Sequence, residues 1–203
     1  MAAAKQSARM LKAAKPGHFY LIHLLLPHHP YAYYDNCTVR HNGAAWLSYN
    51  METKDGRANS PASRHERYQQ YLEQMQCAHK TVAAILGELE HSMQQAQTHV
   101  VIHGDHGSRI TQWIPSPQNS DHLLPTDYIN AFSTFFVART PTLRGGYDRH
   151  PYALEEIMAA VYFDESLPPT TSTAPPEVYL MSGEEVMKKT MPPFDNGEPA
   201  KSW

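Results

Sequence analysis

Long apolar runs, cysteine and an excess of charge of either sign are all scarce in this 203-residue sequence. Its 17 basic and 20 acidic side chains give a net charge of −3, which argues against the basic surface of a nucleic-acid-binding protein. The most apolar stretch, residues 18–26, is much shorter than the roughly 20 residues of a membrane-spanning helix. No signal-peptide-like apolar run follows the basic N-terminus. We therefore expect no nucleic-acid partner, no membrane span and one domain with its own core.

Histidine, by contrast, is frequent, with 13 residues, seven of which cluster in the segments 18–29 and 103–122. Taken alone, a histidine is more often an exposed or hydrogen-bonded structural residue than a ligand or a catalytic group. Metal and acid–base chemistry concentrate near strand ends, so we use the position of each histidine relative to the predicted strands to decide whether it is a candidate functional residue.

Apolar patterns along the chain alternate between those of strands and helices. Residues 18–26, 98–103 and 133–138 are short apolar runs typical of buried strands. Residues 66–95 and 152–162 have helical patterns. In residues 66–95 the pattern recurs every three or four residues, at Leu72, Met75, His79, Val82, Ile85 and Leu89. Strand, crossover helix and strand form the parallel βαβ unit. We predict an α/β fold, a three-layer sandwich with a mostly parallel sheet that forms part of a domain.

Turn and linker residues divide the chain. The polar residues 32–66 contain Asn42-Gly43 and other turn signals, which predict a long irregular surface segment. Proline and threonine dominate PPTTSTAPP, and the two short runs that follow it predict a small β-hairpin. The predicted organisation is an N-terminal extension at 1–16, an α/β domain at 17–167, a linker at 168–177, and a hairpin with a tail at 178–203.

Two histidine-containing motifs follow predicted strands. PHHPY follows the first strand and GDHG follows the second. Because the carboxyl ends of parallel strands share one edge of a sheet, we expect His28, Asp105 and His106 to face one pocket. A carboxylate and an imidazole suit zinc or manganese, and the flanking glycines let the backbone approach an ion closely. A tight turn with a capping aspartate and a solvated histidine explains the DHG triplet equally well.

In combination, VVIHGDHG and HLLLPHHPY, separated by a long helix, resemble the alkaline phosphatase superfamily, especially the sulfatases, phosphoethanolamine transferases and lipoteichoic acid synthases. The resemblance covers residues 17–141. It implies a divalent metal, usually zinc, manganese or calcium, and nucleophilic attack on a sulfate or phosphate ester. By position, Asp105 and His106 match metal ligands, and His28 matches the histidine that contacts the transferred group or protonates the leaving oxygen. Weaker candidates are His29, His103, Arg109 and His122, of which His29, Arg109 and His122 are predicted to bind substrate.

The sequence departs from this family in one respect. An aspartate-bearing strand with a downstream cysteine, serine or threonine nucleophile does not precede PHHPY. We therefore interpret the chain as the C-terminal half of a sulfatase-like domain, with little or no activity by itself. An upstream segment or a partner chain would supply the nucleophile. The alternatives are a non-catalytic module that binds a metal or an anion, and an inactive gene remnant.

The two cysteines, Cys37 and Cys77, leave two possibilities open. The resemblance implies a periplasmic or membrane-anchored extracytoplasmic location, where a disulfide between them would persist. In the cytosol they would be ordinary thiols. A disulfide requires their Cα atoms to lie within about 7 Å of each other.

Overall fold

The computed structural model describes residues 2–41, 59–92, 98–141, 143, 145–147, 152, 154–163 and 176–192. The chain divides into two compact units, Met1–Gln95 and Ala96–Trp203. None of the helices within the described ranges combines the length and the apolar character that a membrane span requires.

Within its described residues, the first unit contains two helices that pack against each other, α1 (Ala2–Lys12) and α2 (Pro61–Ser92). The predicted long helix is confirmed, although it begins earlier, at Pro61. Proline suits the first turn of a helix, and the Ser60 hydroxyl accepts a hydrogen bond from the Ser63 backbone N–H at 3.2 Å, as an N-terminal cap does. On α1, Leu11 is buried, and Lys12 forms an ion pair with Glu88 of α2 at 3.8 Å.

The buried stripe of α2 differs from the predicted one. The helix buries Gln74, Cys77, Ala78, Thr81, Ile85 and Leu89, whereas Leu72, Met75 and Val82 are half-buried and His79 is exposed. Ile85 and Leu89 are thus the two predicted positions that lie on the buried stripe. The error has a simple cause: an apolar periodicity counts apolar side chains only, and this helix buries a glutamine and a threonine.

Residues 18–26 do not form the predicted strand. The segment is irregular, with exposed side chains at alternate positions, among them Phe19, Leu21 and Leu25. A strand needs a neighbour to satisfy its backbone groups, and no strand in the described part of the chain pairs with this segment. The apolar composition predicted that these side chains are buried, but the described residues do not cover them.

The described part of the second unit contains two antiparallel strand pairs and two α-helices. Its elements are β1 (Val100–His103), a 3₁₀ turn (Pro117–Asn119), α3 (Pro125–Phe132), β2 (Phe136–Arg139), α4 (Leu154–Phe163), β3 (Glu177–Ser182) and β4 (Glu185–Thr190). In the first pair, Val101 of β1 lies opposite Ala138 of β2. The strands predicted at 98–103 and 133–138 and the helix predicted at 152–162 are therefore present, within a few residues at each end.

The arrangement of these strands is not the predicted one. The chain is mixed α/β, but both sheets are two-stranded and antiparallel, and no parallel pair occurs in the described ranges. A short apolar run indicates that a strand is buried, but not the direction of its neighbour. Here the direction is set by the connection through α3, which returns the chain antiparallel to β1.

The predicted C-terminal hairpin is confirmed. β3 and β4 pair from Glu177 opposite Thr190 to Ser182 opposite Glu185, and Gly183 adopts a φ of +60° in the turn between them. Side chains alternate along β3, so that Val178 and Leu180 are buried while Tyr179 and Met181 are exposed. Val178 packs with Tyr128 of α3 and with Met191, which holds the hairpin on this helix.

Candidate functional site

The Asp-His motif lies in the turn that leaves β1, and the glycine after it is required by packing. Gly107 lies against the end of α3. A Cβ atom at this position would come within 2.8 Å of the Asn130 carbonyl carbon and of the Ser133 carbonyl oxygen, and still closer to the Asn130 carbonyl oxygen. Because these are backbone atoms, they cannot move aside cheaply. At Gly104 a Cβ atom would meet the Thr134 side chain.

The turn is fastened to α3 by hydrogen bonds. The Gly107 and Arg109 backbone N–H groups donate to the carbonyls of Ala131 and Asn130 at 3.3 and 2.8 Å. The Ser108 hydroxyl donates to the Asn130 side-chain oxygen at 2.9 Å. These bonds at three consecutive residues fix the backbone directly after the motif.

Sequence reasoning missed α3 and the buried carboxylate that organises its start. Asp127 is 1% exposed, and its two oxygens accept hydrogen bonds from the backbone N–H groups of Gln112 at 2.6 Å and Leu124 at 3.1 Å. The signal was present as Pro125 and Asp127 in the first turn, since proline and an acidic residue favour a helix N-terminus. The buried Asn130, which anchors the turn, carries no comparable signal.

Asp105 and His106 point their polar atoms towards each other. Asp105 Oδ2 lies 3.6 Å from His106 Nε2, with side chains that are 83% and 19% exposed respectively. His106 Nδ1 donates a hydrogen bond to the Gly107 carbonyl at 2.7 Å. Since a carbonyl can only accept, Nδ1 carries the hydrogen, and in the neutral ring Nε2 presents its lone pair. The nitrogen nearer the carboxylate is thus the one that can ligate a metal.

The electrostatic surroundings keep Asp105 ionised. Burial raises the pKa of Asp105, but backbone hydrogen bonds at Asp105 and His106 and the charges of His106 and Arg109 outweigh it, so that the pKa lies below its usual value. Because the carboxylate is largely exposed, water screens these effects. The turn therefore offers one carboxylate oxygen and, in the neutral form of the ring, one imidazole nitrogen.

This pair fits part of a metal site. Two ligands about 2.1 Å from one tetrahedral ion lie about 3.4 Å apart, which is close to the observed 3.6 Å between Oδ2 and Nε2. A histidine that ligates a metal through one ring nitrogen generally donates a hydrogen bond from the other, and here the Gly107 carbonyl accepts it. No group of three or more histidine, cysteine, aspartate or glutamate side chains that could hold an ion occurs in the described part of the chain. The pair therefore supplies two ligands of an incomplete set.

The PHHPY residues lie in the first unit. The His28 side chain is exposed, and its Nδ1 donates a hydrogen bond to the His29 carbonyl. The His29 ring contacts Tyr31 edge to face, with ring centroids 5.3 Å apart. Tyr31 is buried and also contacts Tyr71 of α2, and desolvation by burial raises the pKa of Tyr31 and of Tyr71 above the usual value. The convergence of His28 with Asp105 and His106 stays a prediction.

The remaining candidates occupy separate positions in the second unit. Arg109 is exposed, adopts a φ of 56°, and contributes its charge to Asp105. His122 is exposed and stacks on Trp113 with ring centroids 5.1 Å apart. His103 donates through Nδ1 to the Gly104 carbonyl at 3.0 Å. The structure thus brings Asp105, His106 and Arg109 together in one turn.

The two cysteines form a disulfide. Cys37 and Cys77 are bonded, with Cα atoms 5.0 Å apart, within the predicted distance. The bond joins the loop after PHHPY to the buried face of α2.

By its own features the chain is a mixed α/β protein with an aspartate–histidine pair in the turn that leaves β1. A comparison with protein families is more specific, because the model of the Sulfatase family matches residues 2–159, most of the 203-residue chain. The chain belongs to the Sulfatase family. Membership indicates a hydrolase or transferase of sulfate or phosphate esters, and family members generally use a divalent metal. Searches of curated proteins and of solved structures each found no match.

Proposed function

We propose that this chain holds a divalent cation through Asp105 and His106 and contributes to the cleavage or transfer of a sulfate or phosphate ester. One observation carries the proposal: His106 Nδ1 donates to the Gly107 carbonyl while Nε2 lies 3.6 Å from Asp105 Oδ2. This arrangement presents a nitrogen lone pair and a carboxylate oxygen to the same point. A bound cation withdraws charge from the ester oxygens and lowers the pKa of the attacking nucleophile.

Four other side chains have proposed roles around the ester. The His28 imidazole protonates the leaving oxygen. Because its Nδ1 hydrogen is engaged by the His29 carbonyl, Nε2 is the atom that carries the transferable proton. The exposed Arg109 guanidinium binds an anionic ester oxygen beside the cation. His122 and His29 bind substrate more peripherally.

We propose that the nucleophile comes from an upstream segment or from a partner chain. The support is the sequence before PHHPY, which contains no aspartate-bearing strand with a downstream nucleophile. A mostly parallel three-layer sandwich would then form when that part supplies neighbours for residues 18–26, where Phe19, Leu21 and Leu25 are exposed. The Cys37–Cys77 disulfide supports a periplasmic or other extracytoplasmic location.

A second candidate function is a module that binds a metal or an anion without catalysis. Only two ligands occur together in the described part of the chain, and this observation favours it. In its metal-binding form, this module binds a metal at the same turn as the enzyme does, and the two candidates differ in whether ester cleavage follows.

Metal binding is tested on the full chain by titration with zinc and with manganese, followed calorimetrically. We expect Asp105→Asn and His106→Gln each to weaken binding by at least about tenfold, because each removes one of two ligands. Asp121→Asn is the matched control, since that carboxylate is 89% exposed and lies in another loop. Equal affinities for the wild type and both ligand variants would reject the site.

Ester cleavage is tested with p-nitrophenyl sulfate, p-nitrophenyl phosphate and bis(p-nitrophenyl) phosphate, with and without the upstream segment. Metal-dependent release of nitrophenol that is lost in His106→Gln supports the enzyme, and the preferred ester identifies the transferred group. Metal binding without hydrolysis under either condition supports the binding module. Absence of both activities contradicts the enzyme and the metal-binding module, and leaves anion binding as the remaining form of the second candidate.

A further inference from the structure

One polar side chain of α2 is fully buried against the histidine loop. Gln74 is 0% exposed. Its Nε2 donates to the carbonyls of Pro27, His28 and Pro30 at 3.1, 2.8 and 3.4 Å. Its Oε1 accepts a hydrogen bond from the Tyr33 backbone N–H at 3.1 Å. A buried amide that has its donors and its acceptor engaged has little freedom to rotate, because leaving either unsatisfied is costly.

Neighbouring positions on the same side of α2 hold the rest of this loop. Glu73 pairs with Arg40, Cys77 is bonded to Cys37, and the Lys80 ammonium donates to the Asp35 carbonyl at 2.7 Å. These three helix positions recur at intervals of four and three, so they lie on one face. Of the four α2 residues, Gln74 is the one that contacts the backbone of PHHPY.

We propose that Gln74 is a positioning residue for His28, an inference that rests on the proposed function of that histidine. The amide binds the carbonyl of His28 itself and that of the preceding residue, so it fixes the backbone from which the imidazole projects. The Nδ1 bond to the His29 carbonyl then determines the ring orientation. Gln74 contacts neither the ester nor the reacting atoms, and it acts through the loop.

The loop has other anchors, so the loss of Gln74 should misplace the histidine without releasing the loop. Tyr31 is buried against Tyr71, and the disulfide and the Lys80 bond lie outside PHHPY. Gln74→Met has a similar length but no hydrogen bonds to offer. Gln74→Glu keeps the acceptor for Tyr33 but directs an oxygen at the loop carbonyls. The matched control is Gln76→Met, on the exposed side of the same helix.

The kinetic test uses leaving groups that differ in their need for protonation. A phenyl ester needs a general acid, whereas a p-nitrophenyl ester leaves readily without one. We expect Gln74→Met to lower kcat for the phenyl ester by about tenfold to a hundredfold with KM unchanged, and to affect the p-nitrophenyl ester much less. Gln74→Glu should follow Gln74→Met, and Gln76→Met should match the wild type. Equal losses on both esters indicate a purely structural role and overturn the proposal.

A spectroscopic test needs no turnover, and its first part needs no variant. In the wild-type chain, the Gln74 side-chain amide hydrogens should exchange slowly with solvent and show nuclear Overhauser effects to residues 27–30. Rapid exchange of these hydrogens overturns the proposal. In Gln74→Met, the His28 ring resonances, assigned by their loss in His28→Ala, should broaden or split, and unchanged resonances also overturn it. If the wild type hydrolyses no ester with the upstream segment present, the proposed enzymatic function fails, while these resonances still decide whether Gln74 positions His28.

Discussion

The Cys37–Cys77 bond should be a major source of stability for the first unit. It joins residues 40 positions apart. For a loop of that length, the chain-entropy model gives a loss of about 13 cal/mol/K in the unfolded chain, or about 4 kcal/mol at 25 °C. The folded loop has further anchors in the Arg40–Glu73 pair and the Lys80 bond to the Asp35 carbonyl. Removing the cross-link should therefore act mainly on the unfolded state, and most of the 4 kcal/mol should be lost.

The perturbation is the double variant Cys37→Ala/Cys77→Ala, and the assay is hydrogen exchange followed by mass spectrometry. Peptides from residues 61–92 report the opening free energy of α2, which should fall by about 4 kcal/mol. Reduced wild-type protein should resemble the double variant, and reductant should leave the double variant unchanged. If the opening free energy falls by less than about 1 kcal/mol in both the double variant and the reduced wild type, the reasoning is refuted, because the cross-link would then not reduce the conformational entropy of the unfolded chain.

Two further predictions concern the turn after β1 and the core of the first unit. Gly107→Ala should lower the free energy of unfolding by about 2–3 kcal/mol, because the new Cβ meets backbone atoms at the end of α3. Gly145→Ala is the control, since open space surrounds that position. Equal urea midpoints for Gly107→Ala and the wild type would contradict the prediction. Burial raises the pKa of Tyr31 above the roughly 10 of an unfolded tyrosine, so its stabilising contribution is present below about pH 10 and is lost as the pH rises further. Tyr31→Phe should therefore reduce the alkaline loss of stability measured by circular dichroism, and the 86% exposed Tyr147, changed to phenylalanine, should not.

The sequence predicted individual elements better than their arrangement. The α2 helix, the strands near 98–103 and 133–138 and the terminal hairpin all follow from side-chain periodicity and turn residues, which are local properties. Strand direction and pairing depend on partners distant in the chain. Residues 18–26 have the composition of a buried strand, yet no strand in the described residues pairs with them. Apolar composition indicates that a segment needs to be buried, but it does not indicate which part of the protein covers it.

A similar distinction applies to the candidate site. The residues with recognisable chemistry, Asp105 and His106, were predicted from a four-residue motif, as was their closeness to each other. The residues that hold such motifs in place are not local to them: Asn130 binds Ser108 from 22 positions away, and Gln74 binds the His28 carbonyl from 46 positions away. In a helical sequence, a glutamine or an asparagine is normally interpreted as part of the solvated face.

A readable signal for Gln74 nevertheless exists in the spacing of α2. Going backwards from Leu89, the buried positions Ile85, Thr81 and Ala78 follow at intervals of four, four and three, and a further step of four reaches Gln74. An amide on the buried stripe must find its own donors and acceptors, and an irregular loop offers unpaired carbonyls where a regular strand or helix has used its own. A polar residue in phase with an apolar stripe therefore indicates that a loop packs there. In this chain the loop is the one that carries His28, which is why the pattern of the helix bears on the chemistry of the site.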